Sequence, residues 1–229
     1  MLNPGTVSII IPAYNEADRL GHTLEALIHC GLGDETIVID DGSTDDTAQV
    51  ALSHGARLVR RPKNRGKGAA LNAGLAAALG ETIMFLDADL GDSASNARPI
   101  LDAVRSGGAD MAIGSFSVPG GGFGFVLKFA RWGVRLMCGY SATSPLSGQR
   151  ALRRSTLESV YPLRNDFGVE TSMLIDAVRA GKKVVEVPVA LSHRPTGRTF
   201  RGYMHRARQG LDISRALLSA AFKRKAKSA

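Results

Sequence analysis

Apolar positions along this chain fall into two alternating patterns, short β-branched runs and longer stretches with helical spacing. Val7-Ser8-Ile9-Ile10-Ile11 is the first run, which Pro12 is expected to stop, and Thr36-Ile37-Val38-Ile39 is the second, ended by Asp40-Asp41-Gly42-Ser43. Between them, residues 16–30 carry Leu20, Leu24, Leu27 and Ile28 at helical spacing, with Gly31 and Gly33 as the stop. The pattern repeats with a helix over 45–53, a strand over 56–60, an Ala-rich helix over 67–79 and the run Thr82-Ile83-Met84-Phe85-Leu86 entering Asp87. A helix near 95–106, a strand near 111–114, a helix over 167–180 and a strand-like segment over 184–191 follow. This alternation predicts an α/β fold with a mainly parallel, Rossmann-like sheet, helices on both faces, and a ligand outside the carboxyl ends of the strands.

Composition sets bounds on that picture. At 229 residues, 44% hydrophobic and 22% charged, the chain reads as one globular domain and is far from disordered, collagen-like or coiled-coil compositions. No run approaches the ~18 apolar residues of a membrane span, and the opening residues lack the pattern of an export signal, so a cytoplasmic protein is expected. Cys30 and Cys138 have no partner at zinc-ligand spacing and read as reduced thiols. Charge is uneven: residues 1–149 hold 12 Lys and Arg against 15 Asp and Glu, whereas residues 150–229 hold 17 against 6. A basic half of this kind attracts phosphates on nucleic acid, lipid or a small molecule.

The strand ends carry the candidate chemistry. Pro12-Ala13-Tyr14-Asn15-Glu16 follows the first strand, Asp40-Asp41-Gly42-Ser43-Thr44-Asp45 the second, and Asp87-Ala88-Asp89 the run at 82–86. Ser43 and Asp45 read mainly as turn or capping residues. Asp87 and Asp89 do not, because two carboxylates one residue apart repel unless a divalent cation sits beside them, and oxygen ligands suit Mg²⁺ or Mn²⁺. A Walker A loop and a G-x-G-x-x-G fingerprint are both missing, which excludes that type of ATPase and leaves dehydrogenase chemistry without support. Asn64-Arg65-Gly66-Lys67-Gly68 opens a helix whose backbone N–H groups suit a phosphate. The basic half supplies candidate acceptor-phosphate contacts in Arg150, and in Arg194, Arg198 and Arg201 around Pro195-Thr196-Gly197.

Taken in order, Pro12 to Glu16, Asp40 to Asp45, Arg65-Gly66-Lys67-Gly68 and Asp87-Ala88-Asp89 resemble glycosyltransferase family 2 with its GT-A fold. Gly114-Ser115, Val118-Pro119-Gly120-Gly121-Gly122 and Ser147-Gly148-Gln149-Arg150-Ala151 are similar to dolichyl- and other polyprenyl-phosphate sugar transferases, with Phe116 where those enzymes carry Arg. Asp166-Phe167-Gly168-Val169-Glu170 and Pro188 to Arg194 resemble glucosyl-3-phosphoglycerate synthases. The resemblance implies one GT-A domain over 1–200, followed by a basic amphipathic helix and tail over 201–229. It implies that Pro12, Ala13, Tyr14 and Glu16 line a nucleoside pocket, Asp41 bonds the base, and Lys67 lies near the ribose or pyrophosphate. Asp87 is implied at the ribose or the metal, Asp89 on the metal directly, and His193 as a further ligand, because Gly91 stands where the mannose synthases place a Gln. The other histidines, His22, His29, His54 and His205, read as packed or solvated residues.

The activity implied is a metal-dependent hexosyltransferase moving a sugar from a UDP- or GDP-sugar to a phosphorylated acceptor. Asp89, His193 and the cation would neutralise the departing diphosphate. Asp166 or Glu170 would serve as base or acceptor guide, or as helix first-turn acids. Polyprenyl phosphate is the first acceptor and a soluble phosphoglycerate-type enzyme the alternative; a nucleic-acid-binding module leaves Asp87 and Asp89 without a purpose, so no nucleic-acid partner is expected. The segments at 120–140 and 204–227 interleave apolar residues with Lys and Arg, which suits peripheral attachment to the anionic inner face of the cell membrane, a homodimer face, or core packing.

Overall fold

The computed structural model describes residues 5–115, 124–164 and 168–192. Its elements run β1 (Val7–Ala13), α1 (Ala17–Cys30), β2 (Glu35–Asp40), α2 (Thr47–Ser53), β3 (Arg57–Arg60), α3 (Lys67–Ala77), β4 (Thr82–Phe85), a 3-10 turn (Gly91–Ala97), α4 (Arg98–Arg105) and β5 (Met111–Ser115). They continue with α5 (Gly124–Cys138), β6 (Arg150–Arg153), α6 (Arg154–Val160), α7 (Val169–Arg179) and β7 (Val184–Pro188). The strands form one sheet in the order β3-β2-β1-β4-β6-β5-β7, in which β6 alone is antiparallel to its neighbours β4 and β5.

Both sheet faces are covered, which is why the strands read as continuous apolar runs. On one face Val7, Ile9, Ile11 and Ala13 of β1 pack with residues of α1, α2 and α4. On the other, Ile10 packs with Ile37, Ile39 and residues of α3, α5, α6 and α7. The antiparallel β6 and the short α6 escape the periodicity expected above, because Arg150-Ala151-Leu152-Arg153 holds only two apolar residues between charged ends.

Pro12 does not end β1. The strand reaches Ala13, with Pro12 opposite Ile39 of β2. Successive residues of a strand paired on both sides turn to opposite neighbours, and in β1 the even positions face β4: the Leu86 N–H donates to Ile10 O at 3.2 Å. Pro12 is the next residue on that edge and has no N–H to offer. Pairing with β4 stops at Ile10 and Phe85, whereas pairing with β2 continues to Ala13 and Asp40. The two strands therefore part company at the carboxyl edge, which is where an open α/β sheet places its ligand.

Close packing of α3 on the sheet depends on Gly74. A Cβ there would run into Ile10 Cγ2 and come within 2.8 Å of Ile39 Cδ1. Gly74→Val should therefore destabilise the protein by about 2–3 kcal/mol, read as a lower urea midpoint with an unchanged m-value.

Candidate functional site

The tip of β2 is a charge-balanced loop anchor. Asp40 is fully buried, with Oδ1 accepting the Ser43 N–H at 2.7 Å and Oδ2 lying 3.2 Å from Arg60 Nε. Asp41, 4% exposed, pairs with Arg61 Nη1 at 2.7 Å and accepts the N–H groups of Arg65 and Gly66 at 3.0 and 2.9 Å. Gly42 makes this possible: its φ is +79°, and a Cβ there would sit 2.7 Å from Lys63 Cα. The loop before α3 thus folds back onto β2. The Arg65 and Gly66 N–H groups, expected to suit a phosphate, are committed to the Asp41 carboxylate instead.

Beside this anchor, at the end of β4, lies a second charge cluster. Lys67, the first residue of α3, reaches Asp87 Oδ1 at 2.6 Å and Glu170 Oε1 at 2.9 Å. Gln149, just ahead of β6, grips the same aspartate twice, accepting the Asp87 N–H at 3.0 Å and donating from Nε2 to Oδ2 at 2.6 Å. Burial by itself draws the Lys67 ammonium down, but the charges of Asp87 and Glu170 and their hydrogen bonds outweigh it, so its pKa stands above the ordinary lysine value. With a raised value, the charge and the stability it brings are complete at neutral pH and are lost only as pH climbs through the strongly alkaline range. Lys67 is a fixed cation at this edge.

Gly148 completes the cluster. A Cβ on it would collide with Lys67 Nζ and lie 2.8 Å from Asp87 Oδ1, so only a residue without a side chain lets β6 approach the ion pair. Neither Gly148 nor Gln149 had been given a role from the sequence. Their signal was present as the Ser-Gly-Gln-Arg run, but its partner Asp87 lies 62 residues away from Gln149.

The structure places the other expected residues as follows. Pro12 lies at the β1–β4 opening and Tyr14 is 45% exposed at the same edge. Ala13 is 4% exposed and packs into the core, so its carbonyl, which accepts the Asp41 N–H at 2.9 Å, is what it offers there. Glu16 starts α1, its N–H donating to Thr47 Oγ1 at 2.9 Å. Asp45 takes the expected turn role, accepting the Thr47 N–H, and also accepts the Ala17 N–H across the loops; Ser43, expected in a turn, instead accepts the Asn15 N–H from the loop after β1. Asp89 is half-buried in the turn after β4, two residues beyond Asp87. Asp166, His193, Arg194, Arg198 and the segment 201–229 lie outside the described residues.

Arg150 requires a correction. Expected at an acceptor phosphate, it is 1% exposed, and its guanidinium donates to the carbonyls of Ser147, Glu170 and Pro145 at 2.8, 2.7 and 2.9 Å. Burial draws its pKa down to about 10, still far above neutrality, so it is a buried cation solvated by backbone. It pins the main chain of Glu170 while Lys67 holds that residue's carboxylate. Farther along the same edge, a pocket of about 520 Å³ is lined by Ser115, Arg131, Thr143, Ser144 and Val189. Strands β5 and β7 run in the direction of β4, so this pocket shares the edge with Asp87.

Residues 8–158 match the model of glycosyl transferase family 2. The chain belongs to this family. Two relatives carry lipid-phosphate names. A dolichol-phosphate mannosyltransferase of Pyrococcus furiosus is 32% identical over 207 residues, 83% of this chain and 58% of that protein. An undecaprenyl-phosphate mannosyltransferase of Micrococcus luteus is 31% identical over 209 residues, 83% of this chain and 85% of the other. Among solved structures, the glucosyl-3-phosphoglycerate synthase of Mycobacterium tuberculosis, in complex with Mn²⁺, UDP and phosphoglyceric acid, superposes with a TM-score of 0.81 at 30% identity. That match covers 94% of this chain and 78% of that one. The fold is thus GT-A-like, and the protein is a family 2 glycosyltransferase.

Two variants separate chemistry from scaffold at this family 2 site. Gly148→Ala, whose Cβ would displace Lys67 and Asp87, should lower kcat/KM with nucleotide sugar about a hundredfold if these groups serve the donor, since site groups misplaced by about 1 Å can cost that much. Arg150→Met should instead lower stability by about 3–5 kcal/mol, having left three buried carbonyls without their cation. A protein that kept its urea midpoint and lost only acceptor use would return Arg150 to the acceptor.

Proposed function

We propose that this glycosyltransferase moves a sugar from a UDP- or GDP-sugar to a phosphorylated acceptor, polyprenyl phosphate ahead of phosphoglycerate, where β1 and β4 diverge. The observation that carries the reading is the Lys67 cation set between Asp87 and Glu170 at the tip of β4. Breaking the anomeric C–O bond leaves negative charge on the departing diphosphate; Lys67, its ammonium already shared by two carboxylates, serves by fixing Asp87 in a preorganised position beside the leaving group rather than by supplying free positive charge. Gln149 and Lys67 hold the Asp87 carboxylate in one orientation, for ribose or cation contact, and Tyr14 and Glu16 border the nucleoside side.

A divalent ion fits the donor set. Among the described residues no three His, Cys, Asp or Glu side chains cluster into a ready-made cage. Mg²⁺-type sites draw on one or two carboxylates and take the remaining ligands from substrate phosphates and water, which is what Asp89 with Asp87 beside it provides. Mg²⁺ or Mn²⁺ held there supplies Lewis-acid neutralisation of the leaving group. The Mn²⁺ and UDP of the mycobacterial neighbour support this reading, and His193 remains its proposed further ligand.

The choice of acceptor is supported by where one of the candidate carboxylates is spent. A hydroxyl nucleophile needs a base, whereas a phosphate already carries its charge. Glu170, one of the two candidate bases, is 7% exposed and ion-paired with Lys67, which makes it a holder of that cation. This favours an acceptor phosphate as nucleophile, in line with the lipid-phosphate names of the two relatives. The second reading, transfer to phosphoglycerate, draws on the phosphoglyceric acid of the structural neighbour. In both, Arg194 and Arg198 are the proposed acceptor-phosphate contacts. For a lipid acceptor the enzyme works peripherally at the inner face of the membrane, and no helix among the described residues is long and apolar enough to cross it.

Purified protein supplied with UDP- and GDP-sugars and Mn²⁺ should glycosylate polyprenyl phosphate in detergent and lose turnover on chelation. Asp89→Asn should cost about a hundredfold or more in kcat. Transfer to 3-phosphoglycerate alone selects the second reading, and no turnover on either acceptor by folded protein rejects the proposal.

A further inference from the structure

The outer face of α5 has no role in the chemistry above. Phe125, Phe129, Trp132 and Leu136 recur at spacings of four, three and four residues, which sets them in one stripe about 16 Å long. Phe125 is 83% exposed, Trp132 58% and Leu136 54%, whereas Phe129 is half-buried, packing on the core while stacking on Trp132 at a ring-centroid distance of 5.9 Å. The opposite side of the helix, Ala130, Gly133 and Val134, is buried. Exposed apolar residues scattered singly need no explanation, but a continuous stripe does. Lys128, Arg131 and Arg135 flank it, and no Asp or Glu occurs anywhere between Asp110 and Glu158.

We infer that this face of α5 docks on an anionic bilayer surface. The inference rests on the lipid-phosphate reading of the acceptor and supplies the surface that reading needs. Charge selects the occupant. A second copy of the chain would bring Lys128 and Arg135 close to their own equivalents. The chain's own segment 201–229 is equally unsuited, with Arg201, Arg206, Arg208, Arg215, Lys223, Arg224, Lys225 and Lys227 against the single acid Asp212. Anionic headgroups reverse that sign, and the aromatic stripe suits the boundary between headgroups and acyl chains.

The same helix reaches the pocket on the carboxyl edge. Arg131, adjacent to Trp132, donates from Nε to the Thr143 carbonyl at 2.9 Å, and both residues line the pocket. A protein seated on α5 brings that pocket to the plane in which a lipid phosphate resides.

Trp132 is the only tryptophan of the chain, so its emission reports on this face alone. Vesicles of phosphatidylcholine with phosphatidylglycerol should shift the emission to the blue and protect it from acrylamide, and phosphatidylcholine alone should do so far less. Phe125→Ser and Leu136→Ser should each weaken vesicle binding about tenfold, and the pair Lys128→Glu and Arg135→Glu should remove the preference for anionic lipid. Emission indifferent to anionic vesicles overturns the proposal, as does equal response to both vesicles. A blue shift that grows with protein concentration without lipid also overturns it, in favour of a second copy. Transfer to polyprenyl phosphate in detergent, where no bilayer is present, tests the functional reading separately: its absence overturns the lipid-phosphate reading, and vesicle binding without it overturns the link between this face and a lipid acceptor.

Discussion

One lysine between two carboxylates organises the carboxyl edge of this sheet. Lys67 joins the start of α3 to the end of β4 and to the first turn of α7, elements that approach one another only in the folded chain. The arrangement is sensitive because each partner is already held elsewhere. Gln149 clamps Asp87 from the side, Arg150 pins the Glu170 main chain, and the Asp41 carboxylate fixes the loop that delivers Lys67. Removing Lys67 leaves two carboxylates at a half-buried edge without their counter-ion, a more costly state than an exposed ion pair broken in water, whereas removing one of the other supports frees a partner to move.

The antiparallel β6 connects this electrostatics to the topology. In an otherwise parallel sheet it enters at the edge where the others leave, so the residues just before it sit among their carboxyl ends. Gly148 and Gln149 arrive beside Asp87 by that reversal. Pro12 acts on the other flank: by withholding one N–H from β4 it lets β1 stay paired with β2 and still opens toward Asp87. Reversal of one strand and release of another shape this edge together.

Charge is also partitioned across the edge. The β2 acids are neutralised locally, Asp40 by Arg60 and Asp41 by Arg61, and Asp87 shares Lys67 with Glu170, which leaves that cluster one negative charge in excess. The convergence of acids there asks less of a divalent ion than the sequence alone implied, and the demand concentrates on Asp89. Beyond β5 the chain turns basic and apolar, with α5 carrying its aromatic stripe outward and Arg131 inward to Thr143.

Much of this was legible in the sequence. The apolar runs at 7–11, 36–39 and 82–86 and the helical spacing between them determined a parallel α/β sheet, because burial on both faces leaves no other periodicity to a strand. The polar groups at the strand ends marked the edge proposed for the chemistry. Tertiary structure decided what those groups do. Arg150 reads as a surface cation among basic neighbours, yet three backbone carbonyls claim it. Pro12 reads as a terminator, yet its consequence depends on which neighbour the missing N–H would have faced. Gln149 carries no local mark of its partnership with Asp87, which exists only because β6 runs backwards. Local pattern reports which groups are buried and at what period; which charges meet is settled by strand order and direction, since contacts spanning tens of residues leave no spacing to read.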